Sequence, residues 1–159
     1  MITLQKITWY NWHEVIDLRI TDEQTAMDFV PSNMFSLAQA YVTVVNQQIP
    51  PMLYAVYNDE TMIGFTKFYY DLSGEYDNDP CYVICRFMID KRFQNQGFGK
   101  QAMIEILNYI KAFPKGEAEA VYLSYDPRNK IAIKLYHSMG FAETGAIVRE
   151  GEVVTKLLL

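Results

Sequence analysis

Two hydrophobic rhythms alternate along the chain. From Ile2 to Ile7 apolar and polar residues take turns, the period of a half-buried strand. Asn11 with Glu14 three residues later predicts a capping box opening a short helix through Leu18. Pro31-Ser32-Asn33 precedes a second helix, roughly Phe35 to Asn46, where Leu37, Ala40, Tyr41 and Val44 recur at helical spacing; Pro50-Pro51 ends that stretch. Leu53–Tyr57 and Met62–Tyr70 read as a hairpin around Asn58-Asp59-Glu60. A loop over 71–79, rich in Asp, Ser, Gly and Asn, leads into Tyr82–Ile89, a nearly continuous apolar run of the kind a strand shows when buried on both faces.

The helical period returns after Lys100, with Met103, Ile106, Leu107 and Ile110 on one face and Pro114 and Gly116 beyond its end. Ala120–Ser124 is strand-like. Asp126-Pro127 opens a further helix carrying Ile131, Leu135 and Met139 to a Gly140 cap. Phe141–Val148 and Glu152–Leu158 close the chain as two strands around Glu150-Gly151. The predicted order is β-α-α-β-β-β-α-β-α-β-β. Residues 1–159 thus read as a single α/β domain, with a mixed central sheet of about seven strands and about four helices.

Composition excludes several function classes. With 50% hydrophobic and 21% charged residues, the 159-residue chain is globular rather than disordered or fibrous. A net charge of −5 argues against a nucleic-acid partner. No apolar run approaches the ~20 residues of a membrane span, and the N-terminus lacks an export pattern, so a cytoplasmic protein is expected. Residues 1–79 carry eleven acids and three bases, whereas residues 80–159 carry eight acids and eleven bases. Two readings stay open: solvated loops of opposite sign, or a protein that holds an anion with one half and a cation with the other. Cys81 and Cys85, if on one strand, face the same side more than ~12 Å apart, too far for a disulfide. They read as buried thiols. With only His13 and His137 as histidines, no metal site is expected.

The most specific local feature is Gln94-Asn-Gln-Gly-Phe-Gly-Lys100, between the apolar strand and the amphipathic helix. Glycines permit a tight turn that exposes backbone N–H groups, and the helix N-terminus adds partial positive charge; together they suit a pyrophosphate. The spacing is neither that of a Walker A loop nor that of the dinucleotide fingerprint.

Met88-Ile-Asp-Lys-Arg-Phe-Gln-Asn-Gln-Gly-Phe-Gly-Lys100 resembles the signature of the GNAT family of acyl-CoA N-acyltransferases, whose loop reads Q/R-x-x-G-x-G/A. Asn129-x-x-Ala132-x-x-Leu135-Tyr136-x-x-x-Gly140-Phe141 resembles the family's second hallmark. Ser36–Tyr41, Phe87–Phe93 and Gly151-Glu-Val-Val are similar to the bacterial spermine/spermidine (diamine) N-acetyltransferases.

The resemblance implies a GNAT-like fold and acetyl-CoA as cosubstrate. Phe87, Met88 and Ile89 would offer backbone groups to the pantetheine where two strands splay. Gln94, Asn95, Gln96, Gly97, Phe98, Gly99 and Lys100 would wrap the pyrophosphate. Asn129 would contact the pantetheine or adenosine end, and Tyr136 would stand near the thioester sulfur as the catalytic acid. From helical spacing alone, beside Leu135 and Ala132, Tyr136 reads as a packing residue. The acceptor implied is a primary amine, a polyamine such as spermidine or spermine, with Glu75 and Asp77 as substrate-binding acids. An aminoglycoside-like drug, a peptide amine, or a non-catalytic acyl-CoA sensor are the alternatives, and a homodimer is compatible with the family. The general base stays open. Some polyamine acetyltransferases place a carboxylate where Cys85 and Arg86 stand here, which leaves Glu75, Asp77, Glu152, His13 and His137 as candidates.

Overall fold

In a computed structural model, residues 1–46, 48–149 and 151–159 are described. They form, in order, β1 (Ile2–Lys6), α1 (Trp12–Asp17), α2 (Asp22–Ala26), α3 (Asn33–Val45), β2 (Met52–Asn58), β3 (Thr61–Asp71), β4 (Cys81–Ile89), a 3-10 turn (Lys91–Phe93), α4 (Phe98–Lys111), β5 (Ala120–Tyr125), α5 (Lys130–Ser138), β6 (Ala142–Val148) and β7 (Glu152–Leu158). The strands make one sheet in the order β1-β2-β3-β4-β5-β7-β6. Every neighbouring pair is antiparallel except β4 with β5, which is parallel.

Both faces of the sheet are covered. On one, α4 buries Met103, Ile106, Leu107 and Ile110 against Tyr54, Phe68, Tyr82, Ile84, Val121 and Leu123, and Tyr136 of α5 joins the same cluster. On the other, Val15 and Leu18 pack on Ala55, Phe65 and Met88. Gly64 of β3 lies where a Cβ would run into the Met88 carbonyl, so only glycine lets β3 approach the end of β4 this closely.

A β-bulge sits in the middle of β4. Lys67 pairs with Arg86 and Phe68 with Ile84, so Cys85 is an extra residue on its strand. Tyr82 and Ile84 pack toward α4 before the bulge, and Phe87 and Ile89 do so after it. The regular alternation runs from Cys81 through Val83 up to Cys85 and breaks after it, where Cys85 and Arg86 line the same cavities. Both thiols are free, and Cys85 Sγ donates to the Lys67 carbonyl across the sheet.

Three local expectations are corrected. Asn11 does not cap α1: its Oδ1 accepts from the Thr8 N–H at 2.7 Å and its Nδ2 donates to the Lys6 carbonyl, so the side chain is spent on the preceding turn. The capping box lies at Thr21 and Gln24, opening α2, a five-residue helix that periodicity could not reveal because none of its residues is buried. The last helix starts at Asn129, whose side chain accepts from the Ala132 N–H, and not at Asp126-Pro127. In the closing hairpin, Glu150 of the predicted turn lies outside the described residues.

Candidate active site

The site follows from a divergence of the two parallel strands. β4 and β5 pair only through Tyr82–Val121, Val83–Tyr122 and Ile84–Leu123. Beyond that point β4 runs on to Ile89 beside β3, while Ser124 and Tyr125 of β5 stay with β7. One edge of β4 from Cys85 to Ile89 is thereby left without a strand partner, and unpaired backbone groups need another one. A cavity of about 730 Å³ opens in the wedge, lined by Cys85, Arg86, Phe87, Met88 and Ile89 on one wall and by Ser124, Tyr125, Asn129 and Tyr136 on the other.

The Gln94–Lys100 loop closes one end of the wedge. Its fold is set by Asp90, which caps the 3-10 turn through the Arg92 N–H at 3.0 Å and also accepts from the Arg19 N–H at 2.9 Å. Gln94 Nε2 donates to the Ile89 carbonyl and to Gln24 Oε1, both at 2.9 Å, so the loop is tied to β4 and α2 at once. Asn95 and Gly97 hold positive φ of 60° and 82°, and Gly97 begins α4 with no side-chain cap. The first N–H groups of a helix have no intrahelical acceptor. Beside the left-handed turn, they form a donor cradle that fits a pyrophosphate. Gln94, Asn95 and Gly99 line the cavity itself. Asn129 also lines it, but its side chain is engaged as the α5 cap.

Tyr136 is buried, with its ring 6.2 Å from Tyr125 and 6.1 Å from Phe141. Burial alone pushes its phenol well above the ordinary value, so it stands protonated at the cavity wall as a donor. Tyr125 differs. Burial and a 2.8 Å hydrogen bond to Glu143 raise its hydroxyl to about 12, and His137 Nε2 lies 3.3 Å away. His137 thus serves the rim, and His13 stacks on Trp12 at 3.6 Å.

The acids expected to bind substrate separate. Asp77 Oδ2 accepts from the Tyr122 hydroxyl at 2.6 Å and from Lys156 Nζ at 2.9 Å, which ties the loop after β3 to β5 and β7. Glu75 lines a second cavity of about 880 Å³ between α3 and β3, which shares Phe35, Cys85, Arg86 and Arg149 with the first. Glu152 lines the first cavity and accepts from Ser124 Oγ at 2.6 Å where β5 leaves β4. Across the mouth, Arg128 donates to the Met27 carbonyl at 3.2 Å and lies 5.9 Å from the Phe29 ring, so the segment between α2 and α3 straps over the cleft.

Lys67, Gln39 and Arg149 went unnoticed in the sequence. Lys67 had a signal: it is the one charge inside the otherwise apolar or neutral run Met62–Tyr70. Among the described residues, no group of His, Cys, Asp or Glu is arranged to hold a metal ion, and no helix is long and apolar enough to cross a membrane.

Comparison with known proteins agrees with this geometry. Residues 12–141 match the acetyltransferase (GNAT) family. The spermine/spermidine N(1)-acetyltransferase of Bacillus subtilis (strain 168) is 27% identical over 156 residues, 96% of this chain and 95% of that protein. Among solved structures, spermidine N-acetyltransferase from Vibrio cholerae, in complex with CoA and spermine, matches with a TM-score of 0.71 at 17% identity over 99% of this chain and 95% of its own. The aminoglycoside acetyltransferase AAC(6')-Ib, in complex with coenzyme A, gives 0.77 at 15% identity, again over 99% and 95%. At such identities the structural likeness speaks to the fold.

Proposed function

The chain belongs to the GNAT acetyltransferase family and is an acetyl-CoA-dependent N-acetyltransferase; we propose that it acetylates a primary amine by direct attack in a ternary complex, with the wedge between β4 and β5 as the meeting point. The observation that carries this reading is the free edge of β4, flanked by the donor loop on one side and by the protonated Tyr136 on the other. Bound acetyl-CoA supplies the activated acyl group and a thiolate leaving group. Backbone groups of Phe87, Met88 and Ile89 hold the pantetheine by strand-like pairing, and the N–H groups from Asn95 to Lys100 receive the pyrophosphate. A backbone N–H on the same edge donates to the carbonyl oxygen as negative charge develops there. Tyr136 gives its proton to the departing sulfur. An ordinary phenol lies only ~1.5 pH units above a thiol, an uphill transfer of ~2 kcal/mol that burial increases.

An ammonium cannot attack a thioester, so a proton acceptor is needed. Glu152 takes this role in the proposal, because it lines the cavity at the end of β5 opposite the β4 edge. A polyamine acceptor is supported by the name of the Bacillus subtilis relative and by Glu75, with Asp71, in the adjoining cavity. Lys67 and Arg86 favour a second acceptor class, developed below. The test is release of CoA thiol from acetyl-CoA across a panel of amines: monoamines, polyamines, aminoglycosides and peptide amines. Acetyl-CoA binding without release for any of them would make the protein a sensor.

A further inference from the structure

The inner wall of the second cavity carries unspent positive charge. Lys67 lies on β3 and is only 7% exposed. Its Nζ has one hydrogen bond, to Gln39 Oε1 at 3.3 Å, and among the described residues no carboxylate pairs with it. Arg86 is its register partner on β4. The Arg86 Nη1 donates to the Cys85 carbonyl at 2.5 Å, its Nε is buried without a hydrogen-bond partner among the described residues, and its Nη2 reaches only the same Gln39 oxygen, at 3.5 Å. Arg149 stands exposed at the rim where the two cavities meet. Burial lowers the Lys67 pKa, and the nearby guanidinium groups of Arg86 and Arg149 add to the fall.

Setting a buried ammonium beside a half-buried guanidinium, with no anion paired to either among the described residues, is costly, and a fold tolerates it where something else brings the opposite charge. Cys85 does not bring it, since burial raises its thiol pKa and keeps it neutral. The acids of this cavity lie elsewhere. Asp71 sits four residues along β3 from Lys67, ~13 Å at strand spacing, with one oxygen held by Ser73 and the other unpartnered; Glu75 is on the exposed loop beyond.

Arg86 immediately precedes Phe87, the first of the three residues proposed to hold the pantetheine, and lines both cavities, so the cations stand beside the strand edge along which the acyl group would be carried. We propose that Lys67 and Arg86 form a subsite for a carboxylate carried by the acceptor itself, so that the amine presented to the thioester belongs to a small amino-carboxylate. This rests on the reading of the wedge as an amine N-acetylation site and narrows its substrate. A guanidinium whose Nη2 makes only one long hydrogen bond and an ammonium with two unspent protons suit a carboxylate's two oxygens. The same pair repels the second ammonium of a polyamine before it can reach Asp71 or Glu75.

The test compares n-butylamine, spermidine and the series from glycine through β-alanine and 4-aminobutyrate to 6-aminohexanoate, assayed by CoA-thiol release at low salt. At least one amino-carboxylate is expected to exceed n-butylamine and spermidine tenfold or more in kcat/KM, with an optimum in chain length and a margin that narrows as salt rises. Lys67→Met should shrink that ratio at least tenfold. Glutarate, which has no amine, should inhibit competitively against the acceptor and raise the Tm of the wild-type protein but not of Lys67→Met. Turnover of n-butylamine or spermidine equal to or above every amino-carboxylate would overturn the proposal. If no amine is turned over, the acetylation reading fails by itself, and the glutarate shift still decides the subsite: a shift lost in Lys67→Met upholds it, and no shift in the wild type refutes it.

Discussion

Asp77→Asn separates an acid that fastens the fold from one that holds substrate. The Tyr122 hydrogen bond and then the Lys156 hydrogen bond hold the Asp77 carboxyl down at about 2. The unfolded chain titrates near ~3.9, so the folded value is the depressed one. The stabilisation is therefore present above pH ~4 and is lost as the pH falls toward 2. A fall of this size corresponds to ~2.5 kcal/mol if nothing screens it. The side chain is 25% exposed, so solvent removes a large share and ~1 kcal/mol remains. For a chain of this length ~1 kcal/mol moves the Tm by about 2–4 °C. Thermal melts of wild type and variant at pH 7 should differ by that amount, the gap closing between pH 4 and 2. The amine kcat/KM should stay within a factor of two. Equal melts at pH 7 with a tenfold or larger loss in amine kcat/KM would refute the reasoning and return Asp77 to the acceptor site.

Tyr136→Phe keeps the contacts with Tyr125 and Phe141 and deletes only the donor; turnover should fall ~10²-fold with acetyl-CoA affinity unchanged, and a loss under threefold would make water the acid. The buried phenol's raised pKa also adds to the stability lost as the pH climbs above ~10, so the wild type should lose more over that range than the variant, in which Tyr125 still contributes. Acetyl-CoA at 100 times its Kd should stabilise the wild type by ~2.7 kcal/mol, and Gly97→Val, which forces a β-branched residue into φ 82° at the mouth of the donor loop, should lose most of that shift; an unchanged shift moves the pyrophosphate elsewhere. Glu152→Gln should lower kcat ~10²-fold at pH 7 while leaving acetyl-CoA binding intact; a kcat within threefold leaves the amine's proton to water.

Apart from α2, the element order and the Gln94–Lys100 turn could be read in the sequence because both rest on local rules. Met103, Ile106, Leu107 and Ile110 announce the buried face of α4 whatever surrounds them, and all four are buried. The Gln94–Lys100 loop is written in contiguous residues. The acceptor side is not. α3 carries a helical apolar pattern, yet only Asn33 and Ser36 are buried on it, while Tyr41 and Val44 are exposed, because the helix overlies a cavity and not the core. The meeting of Lys67 with Arg86 depends on β3–β4 register, and the engagement of Asp77 on a lysine 79 positions away. Cross-strand distances of this kind leave no periodic trace.

The extra residue in β4 bears on how such a chain can change over generations. Tyr82, Ile84, Phe87 and Ile89 share the α4 side only because Cys85 falls out of the pairing with β3. Replacing one of these side chains alters a local fit. Losing a single residue at the bulge would restore plain alternation and leave Phe87 and Ile89 on the α4 side, whereas losing one beyond it, with the bulge kept, would exchange the two faces of the strand's end. The number of side chains that stand opposite Lys67 can therefore change from two to one without disturbing the apolar layer under α4.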